Sequence, residues 1–346
     1  MTDYFFISSP LHVLMAANVS LQNPQNDKKA AVISKSPAAG ARTAALLRRF
    51  PDLFGAVLDL SAGRAAAFGA LRAEFPRPGA ARLFTGNDRR IEFQYAMHLA
   101  SRNGQTPEGI YLDEGAVTYV GHKSMFRIAH RFLDPAFKKI RYGFWYRPAL
   151  TTGTSAWIQT ACVAFPDLVH PLLKTKRIVA IDPAPFKLPR FKDLACAMLA
   201  GHDDYRDRLR GIGAVLTLPH EAAYLHRPEP YREIFRQLQV RFPASEIAIK
   251  PHPRIAQPAV LPELFPGALQ LDHAVGMEAL LPLLKDDCVV VGDVSSTLLT
   301  TRWLRPDLPV VALSGQAEPP QVLRRLYDSL RIPLVAPEQL SAWLAR

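Results

Sequence analysis

The sequence predicts an α/β protein of two Rossmann-like domains facing each other across a cleft, and three observations carry that expectation. Short apolar runs alternate with amphipathic segments through the first third of the chain and again from Ala214 onward, the rhythm of a parallel sheet flanked by helices. A chain of 346 residues has room for two cores at roughly 100–200 residues per domain. Several of the apolar runs end in polar turns rich in glycine, proline or hydroxyl groups, and ligands of open parallel sheets bind at those carboxyl ends.

Tyr4–Ile7, Ala30–Ile33, Ala56–Leu60, Ala81–Phe84 and Gly109–Leu112 read as the first strands. Between them Leu11–Leu21, Ala41–Phe50, Arg64–Phe75 and Arg90–Ser101 carry apolar side chains at helical spacing. These units make a first domain, assigned to residues 1–175. From His122 to Arg147 the rhythm gives way to a basic and aromatic mixture that includes Lys123, Arg127, Arg131, Lys138, Lys139, Arg141, Phe144, Trp145 and Tyr146. Met125, Ile128, Phe132 and Leu133 share one face of a predicted helix there. It reads either as a solvated helix packed on the sheet or as a surface for an anionic acceptor or membrane. After Thr151–Ser155, scattered prolines from Pro166 to Pro189 suggest an interdomain connection, in which Ile178–Ile181 is ambiguously strand-like.

The alternation resumes with the strand beginning at Ala214, a helix over Pro230–Val240 and the strand Ile247–Ile249. Ala268–Leu271, Cys288–Val291 and Val310–Leu313 read as further strands, with helices over Met277–Leu284 and after Ser296. This is the second domain, residues 176–346. Its terminal helices, Pro320–Leu330 and Pro337–Leu344, are placed to cross back to the first.

Composition narrows the partners. No apolar run approaches the ~18 residues of a membrane span, and the start lacks the basic region of a signal peptide. Cys162, Cys196 and Cys288 are odd in number and show no C-x-x-C spacing, as expected of reduced thiols in the cytoplasm. A net charge of +11 favours anionic partners, whether phosphates, acidic sugars, nucleic acid or an anionic lipid surface. The basic residues are dispersed and no RNA- or DNA-binding pattern is recognisable, which leaves a nucleic-acid-binding protein as the remote alternative. Asp203-Asp204 and Asp286-Asp287 lack a strand end and a partner, so no metal site is expected.

Four strand ends could carry chemistry. In Lys250-Pro251-His252-Pro253-Arg254, two prolines hold a histidine extended between two cations, which suits an anion or, read plainly, a basic surface turn. Asp113-Glu114-Gly115 sets two carboxylates together, so that one can acquire a raised pKa and act as a base; a polar turn is the plain alternative. Ser295-Ser296-Thr297 opens a helix after an apolar strand, and its hydroxyls and first N–H groups can cap the helix or bind a phosphate. Ser9-Pro10-Leu11-His12 joins the first strand to the first helix, with His12 a candidate for the cleft. Lys250 and Arg254 could pair with a sugar carboxylate, and Glu278 could bind ribose hydroxyls.

Together these motifs resemble those of the bacterial sialyltransferases and polysialyltransferases of the GT-B fold. These enzymes share a D/E-D/E-G motif, an HP motif and a later Ser-Ser/Thr motif, met here in the same order as Asp113-Glu114-Gly115, His252-Pro253 and Ser295-Ser296-Thr297. Ser9-Pro10-Leu11-His12 is similar to the S/T-P-L-Q/H start of the lipooligosaccharide sialyltransferases. The resemblance implies inverting transfer of a nonulosonic acid from a CMP-sugar, without a metal or other cofactor, to a glycan or glycolipid acceptor. It implies Asp113 as general base with Glu114 as neighbour or substitute, and His252 with Ser295 and Ser296 on the CMP phosphate. The implied location is cytoplasmic, with peripheral association at an anionic inner membrane left open. The alternative within the architecture is a UDP-sugar transferase or a sugar-nucleotide epimerase.

Overall fold

The computed structural model describes residues 1–75, 79–102, 106–121, 133–199, 201, 204–314 and 321–345. It divides into two compact units, Met1–Pro185 and Phe186–Arg346.

The first unit runs β1 (Thr2–Ile7), α1 (Pro10–Gln22), β2 (Asp27–Val32), α2 (Pro37–Arg48), β3 (Ala56–Asp59), α3 (Arg64–Glu74), β4 (Ala81–Thr85), α4 (Ile91–Arg102), β5 (Glu108–Leu112), α5 (Ala116–Val120), α6 (Asp134–Tyr142), β6 (Thr160–Val163) and β7 (Arg177–Ala180). Among the described residues its strands form one parallel sheet in the order β3-β2-β1-β4-β5-β6-β7. The central strand β1 is buried from Asp3 to Ile7, as a strand covered on both faces must be. α1 follows because Ser9 accepts a hydrogen bond from the His12 N–H while Pro10 occupies the first turn, where it loses no helical bond.

The 175/176 boundary moves to Pro185, because the ambiguous Ile178–Ile181 segment supplies β7, which pairs with β6 at the sheet edge. β6 itself has no counterpart among the expected strands. Its link to β7 contains two 3-10 turns that begin at Pro166 and Pro171, so no helical periodicity announced a β–α unit. Of the basic segment, residues 122–132 lie outside the described residues, including His122, Lys123, Met125, Arg127, Ile128, Arg131 and Phe132.

The second unit runs α7 (Pro189–Met198), α8 (Tyr205–Arg210), β8 (Ala214–Thr217), α9 (Glu229–Gln239), β9 (Ile247–Lys250), α10 (Leu261–Leu264), β10 (Leu269–Gln270), α11 (Met277–Leu280), β11 (Val289–Asp293), α12 (Ser296–Leu304), β12 (Val310–Leu313), α13 (Gln321–Ser329), β13 (Leu334–Val335) and α14 (Leu340–Leu344). Its described strands are again all parallel, in the order β10-β9-β8-β11-β12-β13. The terminal helix α14 packs within its own unit. Leu340 and Leu344 are buried in this unit's own core with Phe235 and Leu238 of α9, and the Ser341 N–H donates to Gln237 Oε1 at 3.3 Å.

The order of strand addition thus reverses once in each sheet, between β1 and β4 in the first unit and between β8 and β11 in the second. Chain connections diverge at such a switch point and leave a crevice outside the carboxyl ends of the strands. Glycine permits the close approach in both. A Cβ on Gly86, just after β4, would lie 2.0 Å from His12 Nε2; one on Gly292, in β11, would lie 1.8 Å from Thr217 Oγ1 of β8.

Candidate functional site

In the second unit the switch-point crevice is a cavity of about 310 Å3. Four turns line it: the one after β8, Lys250–Pro253 after β9, Gly276–Glu278 at the start of α11, and Asp293–Thr297 where β11 enters α12. The HP and Ser-Ser motifs therefore meet, although 43 residues separate His252 from Ser295 in the numbering.

His252 is held by its own turn: the Arg254 N–H donates to His252 Nδ1 at 3.1 Å. With Nδ1 accepting, the neutral ring carries its proton on Nε2 and offers it as a donor. Burial, with the nearby His220, Arg254 and Lys250, lowers the His252 pKa, so that neutral form is favoured. Ser295 sits in N-cap geometry (φ −150°, ψ 163°), yet its hydroxyl makes no capping bond to α12. The contrast with Ser9 is direct, because the Ser9 hydroxyl does cap α1. Tyr327 explains how the α12 start holds its shape without the cap: its hydroxyl accepts from the Ser295 N–H at 2.8 Å and donates to the Ser295 carbonyl at 2.7 Å. The hydroxyls of Ser295, Ser296 and Thr297 and the first N–H groups of α12 remain at the cavity, where the helix dipole favours an anion.

Lys250 lies under this wall and is 4% exposed. Its ammonium donates to the carbonyls of Pro251 at 2.8 Å and His273 at 3.3 Å. Burial lowers its pKa to about 8 against the opposing pull of Glu278 and Asp272, which leaves it mostly charged at neutral pH. Its ammonium is thus engaged by backbone carbonyls while its charge stands beside the cavity. Arg254 departs further from expectation: its side chain is exposed and lies outside the cavity lining, while its backbone N–H orients His252. Glu278 does line the cavity, and burial pushes its carboxyl up, opposed by Lys250. Asp293, to which no role was attached, faces the same cavity; it accepts from the Tyr231 hydroxyl at 2.8 Å, and burial raises its pKa.

The first unit's switch point is built of carboxylates. Asp113, 1% exposed, accepts four hydrogen bonds. Gly115 N–H at 2.7 Å and Thr118 Oγ1 at 3.0 Å donate to one oxygen; Ala164 N–H at 2.9 Å and the Tyr119 hydroxyl donate to the other. This carboxylate ties the strand end together and has no oxygen free for a substrate proton. Glu114 beside it is only partly buried, and its pKa is raised to about 7. Burial is the main cause, Asp88 and Asp113 add to it, and Arg90 and a hydrogen bond from Asn87 oppose it. A carboxylate poised near neutrality is what general-base work requires. Burial raises the Asp113 pKa as well, opposed by its four hydrogen bonds.

His12 is buried between β1 and the turn after β4. It is 1% exposed, its Nδ1 accepts from the Ser8 N–H at 3.3 Å, and its Nε2, packed against Gly86, meets no partner among the described residues. Burial, with Arg90 nearby, pushes its pKa down to about 4, so the ring is neutral. Ser9 serves as a helix cap and Gly115 as a backbone donor to Asp113. The residues that sequence reasoning passed over are Asn87, Asp88 and Arg90 on the turn after β4. Asp88 is fully buried and anchors the Thr151–Ser155 loop through the Gly153 N–H at 2.9 Å and the Ser155 N–H at 2.7 Å. The strand-end rule that singled out Asp113 applies equally to that turn. Among the described residues no group of three His, Cys, Asp or Glu side chains is gathered to hold a metal ion.

No protein-family model and no curated protein sequence matches the chain. Solved structures do. The α/β-galactoside α-2,3-sialyltransferase of Photobacterium phosphoreum aligns over 95% of each chain with a TM-score of 0.62 at 12% identity. The GT-B domain of a sialyltransferase from Photobacterium damselae aligns over 96% of this chain and 98% of that one, with a TM-score of 0.57 at 11% identity. MnaA of S. aureus, solved with UDP, gives 0.51 at 9% identity, over 99% of this chain and 87% of its own. At such identities the likeness is one of fold, and the fold is GT-B.

Proposed function

We propose that the chain is an inverting, metal-independent glycosyltransferase that moves a nonulosonic acid, sialic acid or a relative, from a CMP-sugar to a hydroxyl of a bacterial surface glycan. The observation that carries this reading is the convergence on one cavity of the His252 ring, the hydroxyls and helix N-terminus at Ser295–Thr297, and the buried charge of Lys250. Each favours negative charge, and a departing phosphate gains it as its bond to the sugar breaks. Glu278 and Asp293 share the same walls, and two carboxyl groups suit the single phosphate of CMP better than the larger charge of a diphosphate. Glu278 is assigned to the ribose hydroxyls, and Pro253 closes the turn beside the phosphate.

Each unit is assigned one half of the reaction. Glu114 takes the proton of the acceptor hydroxyl while that oxygen bonds to the anomeric carbon of the donor. The bond from that carbon to the phosphate oxygen breaks on the opposite face, and CMP leaves with the electron pair. His252 donates Nε2–H to that phosphate, with Ser295, Ser296 and the α12 N–H groups on its other oxygens. Asp113 positions Glu114 and takes no proton.

The likeness to the UDP-bound structure keeps a UDP-sugar transferase or epimerase as the competing reading. Thermal shift separates them, since a ligand that binds only the folded state raises its midpoint. CMP is expected to stabilise the protein more than UMP, UDP or GDP, with transfer from CMP-linked sugars unchanged by EDTA. Stabilisation by UDP alone would overturn the CMP assignment and leave the fold untouched.

A further inference from the structure

α6 is oriented against the usual rule for a surface helix, which buries its apolar stripe. Its charged face turns inward. Asp134 and Lys138 pair at 2.8 Å, the Lys138 ammonium lies 5.6 Å from the centre of the Tyr146 ring, and the Arg64 guanidinium covers Tyr142 at 5.0 Å. The opposite face is apolar and open: Leu133, Phe137 and Ile140, spaced four and three apart, are 69%, 60% and 86% exposed. Phe144, on the turn after the helix, is 87% exposed. Four of the nine exposed large apolar side chains among the described residues fall between Leu133 and Phe144, so this is a patch and not scatter.

Cations border it. At about 100° of rotation per residue, Arg141 falls beside Phe137 at one edge of the Leu133–Phe137–Ile140 stripe, half-buried Lys139 lies about 100° round from Ile140 on the other side, and Arg147 is exposed just beyond. An apolar stripe edged by cations matches a bilayer interface, where acyl chains take the stripe and anionic headgroups take the charges. A second copy of the chain fits worse, because it would bring the same cations and the same net charge of +11 to the contact. With nine residues the helix can lie in such a surface but not cross it, and no described helix is long and apolar enough to cross a membrane.

We propose that α6 and the turn from Gly143 to Arg147 form a foot that seats the protein on an anionic lipid bilayer. Phe137, Ile140 and Phe144 enter the interface, and Lys139, Arg141 and Arg147 meet headgroup phosphates. This surface is independent of the nucleotide cavity and of the donor assigned to it.

The test is co-sedimentation of the full chain with vesicles of phosphatidylcholine alone and of phosphatidylcholine mixed equally with phosphatidylglycerol. Binding is expected to the mixed vesicles and to weaken as salt rises. The double variant Phe137→Ser, Ile140→Ser should lose affinity by about a hundredfold. Lys139→Gln with Arg141→Gln should lose about fivefold for each charge removed and flatten the salt dependence. Both keep the inward face of α6, so thermal midpoint and any nucleotide stabilisation are expected to stay as in the parent. The proposal is overturned if the parent chain ignores the mixed vesicles or if the serine variant sediments with them undiminished. It is equally overturned if that substitution changes only the mass seen by light scattering, which would assign the patch to a second copy.

Discussion

The two units reverse their strand order at the same topological point and furnish the strand ends there in opposite ways. In the second, the walls hold donors: the His252 ring, hydroxyls left out of capping, and a helix start held by Tyr327. In the first, the strand ends hold acceptors, and most are already engaged; Asp113 takes four hydrogen bonds and Asp88 two. One strand order is therefore proposed to support two electrostatic tasks, an anion site and a base. What separates a chemical residue from a structural one is whether its lone pairs or protons are already taken.

The sharpest way to break this comparison is to change the two neighbouring acids separately. Glu114→Gln is expected to lower transfer by roughly 10²–10⁴-fold while CMP still stabilises the protein, since the base is lost and the nucleotide site is untouched. Asp113→Asn should act first on the fold, because four donors lose a carboxylate and an amide N–H is forced against them. A loss of about 1–3 kcal/mol is expected, read as a fall in the thermal midpoint. Full transfer by Glu114→Gln, with Asp113→Asn inactive but fully stable, would return the role of base to Asp113.

The location of both switch points was legible in the sequence; which of their polar groups are already engaged was not. Apolar runs such as Tyr4–Ile7 and Ile247–Ile249 announce buried parallel strands, and the polar residues that follow them mark the carboxyl ends. Nothing local distinguishes Asp113 from Glu114. Two of the bonds that engage Asp113 come from Ala164, 51 residues away, and from Tyr119, on a helix too short to read from periodicity. β6 and β7 were obscured for a related reason: each is four residues long, and the link between them lacks an amphipathic α-helix. Lys250 was identified, but its burial was not: one carbonyl that accepts from it belongs to the neighbouring Pro251, and the other to His273, which only tertiary packing brings near.

A smaller effect is expected on the other side. His252→Ala removes the ring donor proposed for the nucleotide phosphate, and about tenfold weaker CMP binding should accompany slower transfer. The same substitution should leave the pH at which activity rises unchanged, because that limb belongs to the other unit. Glu114 is protonated below its pKa of about 7 and cannot accept a proton, so transfer should rise with pH through about 7. Donor binding should fall as pH passes about 8, where Lys250 loses its charge. A rising limb that disappears in His252→Ala and persists in Glu114→Gln would exchange the two assignments.

The finest test concerns what holds the anion site open. Tyr327 occupies both backbone groups of Ser295, and by doing so fixes the α12 start without recruiting the serine hydroxyl. Tyr327→Phe keeps the buried ring and removes only the hydroxyl, leaving the Ser295 N–H and carbonyl unpaired and free to pull the residue out of its extended conformation. The serine hydroxyl is then expected to turn back and cap α12, as Ser9 caps α1, so that it no longer faces the cavity. CMP binding should weaken about three- to tenfold, within the range of one neutral hydrogen bond, while the rate at saturating donor changes little. If CMP binding is unchanged in Tyr327→Phe but lost in Ser295→Ala, the hydroxyl binds without help from behind, and the second crevice is less preorganised than its hydrogen bonds imply.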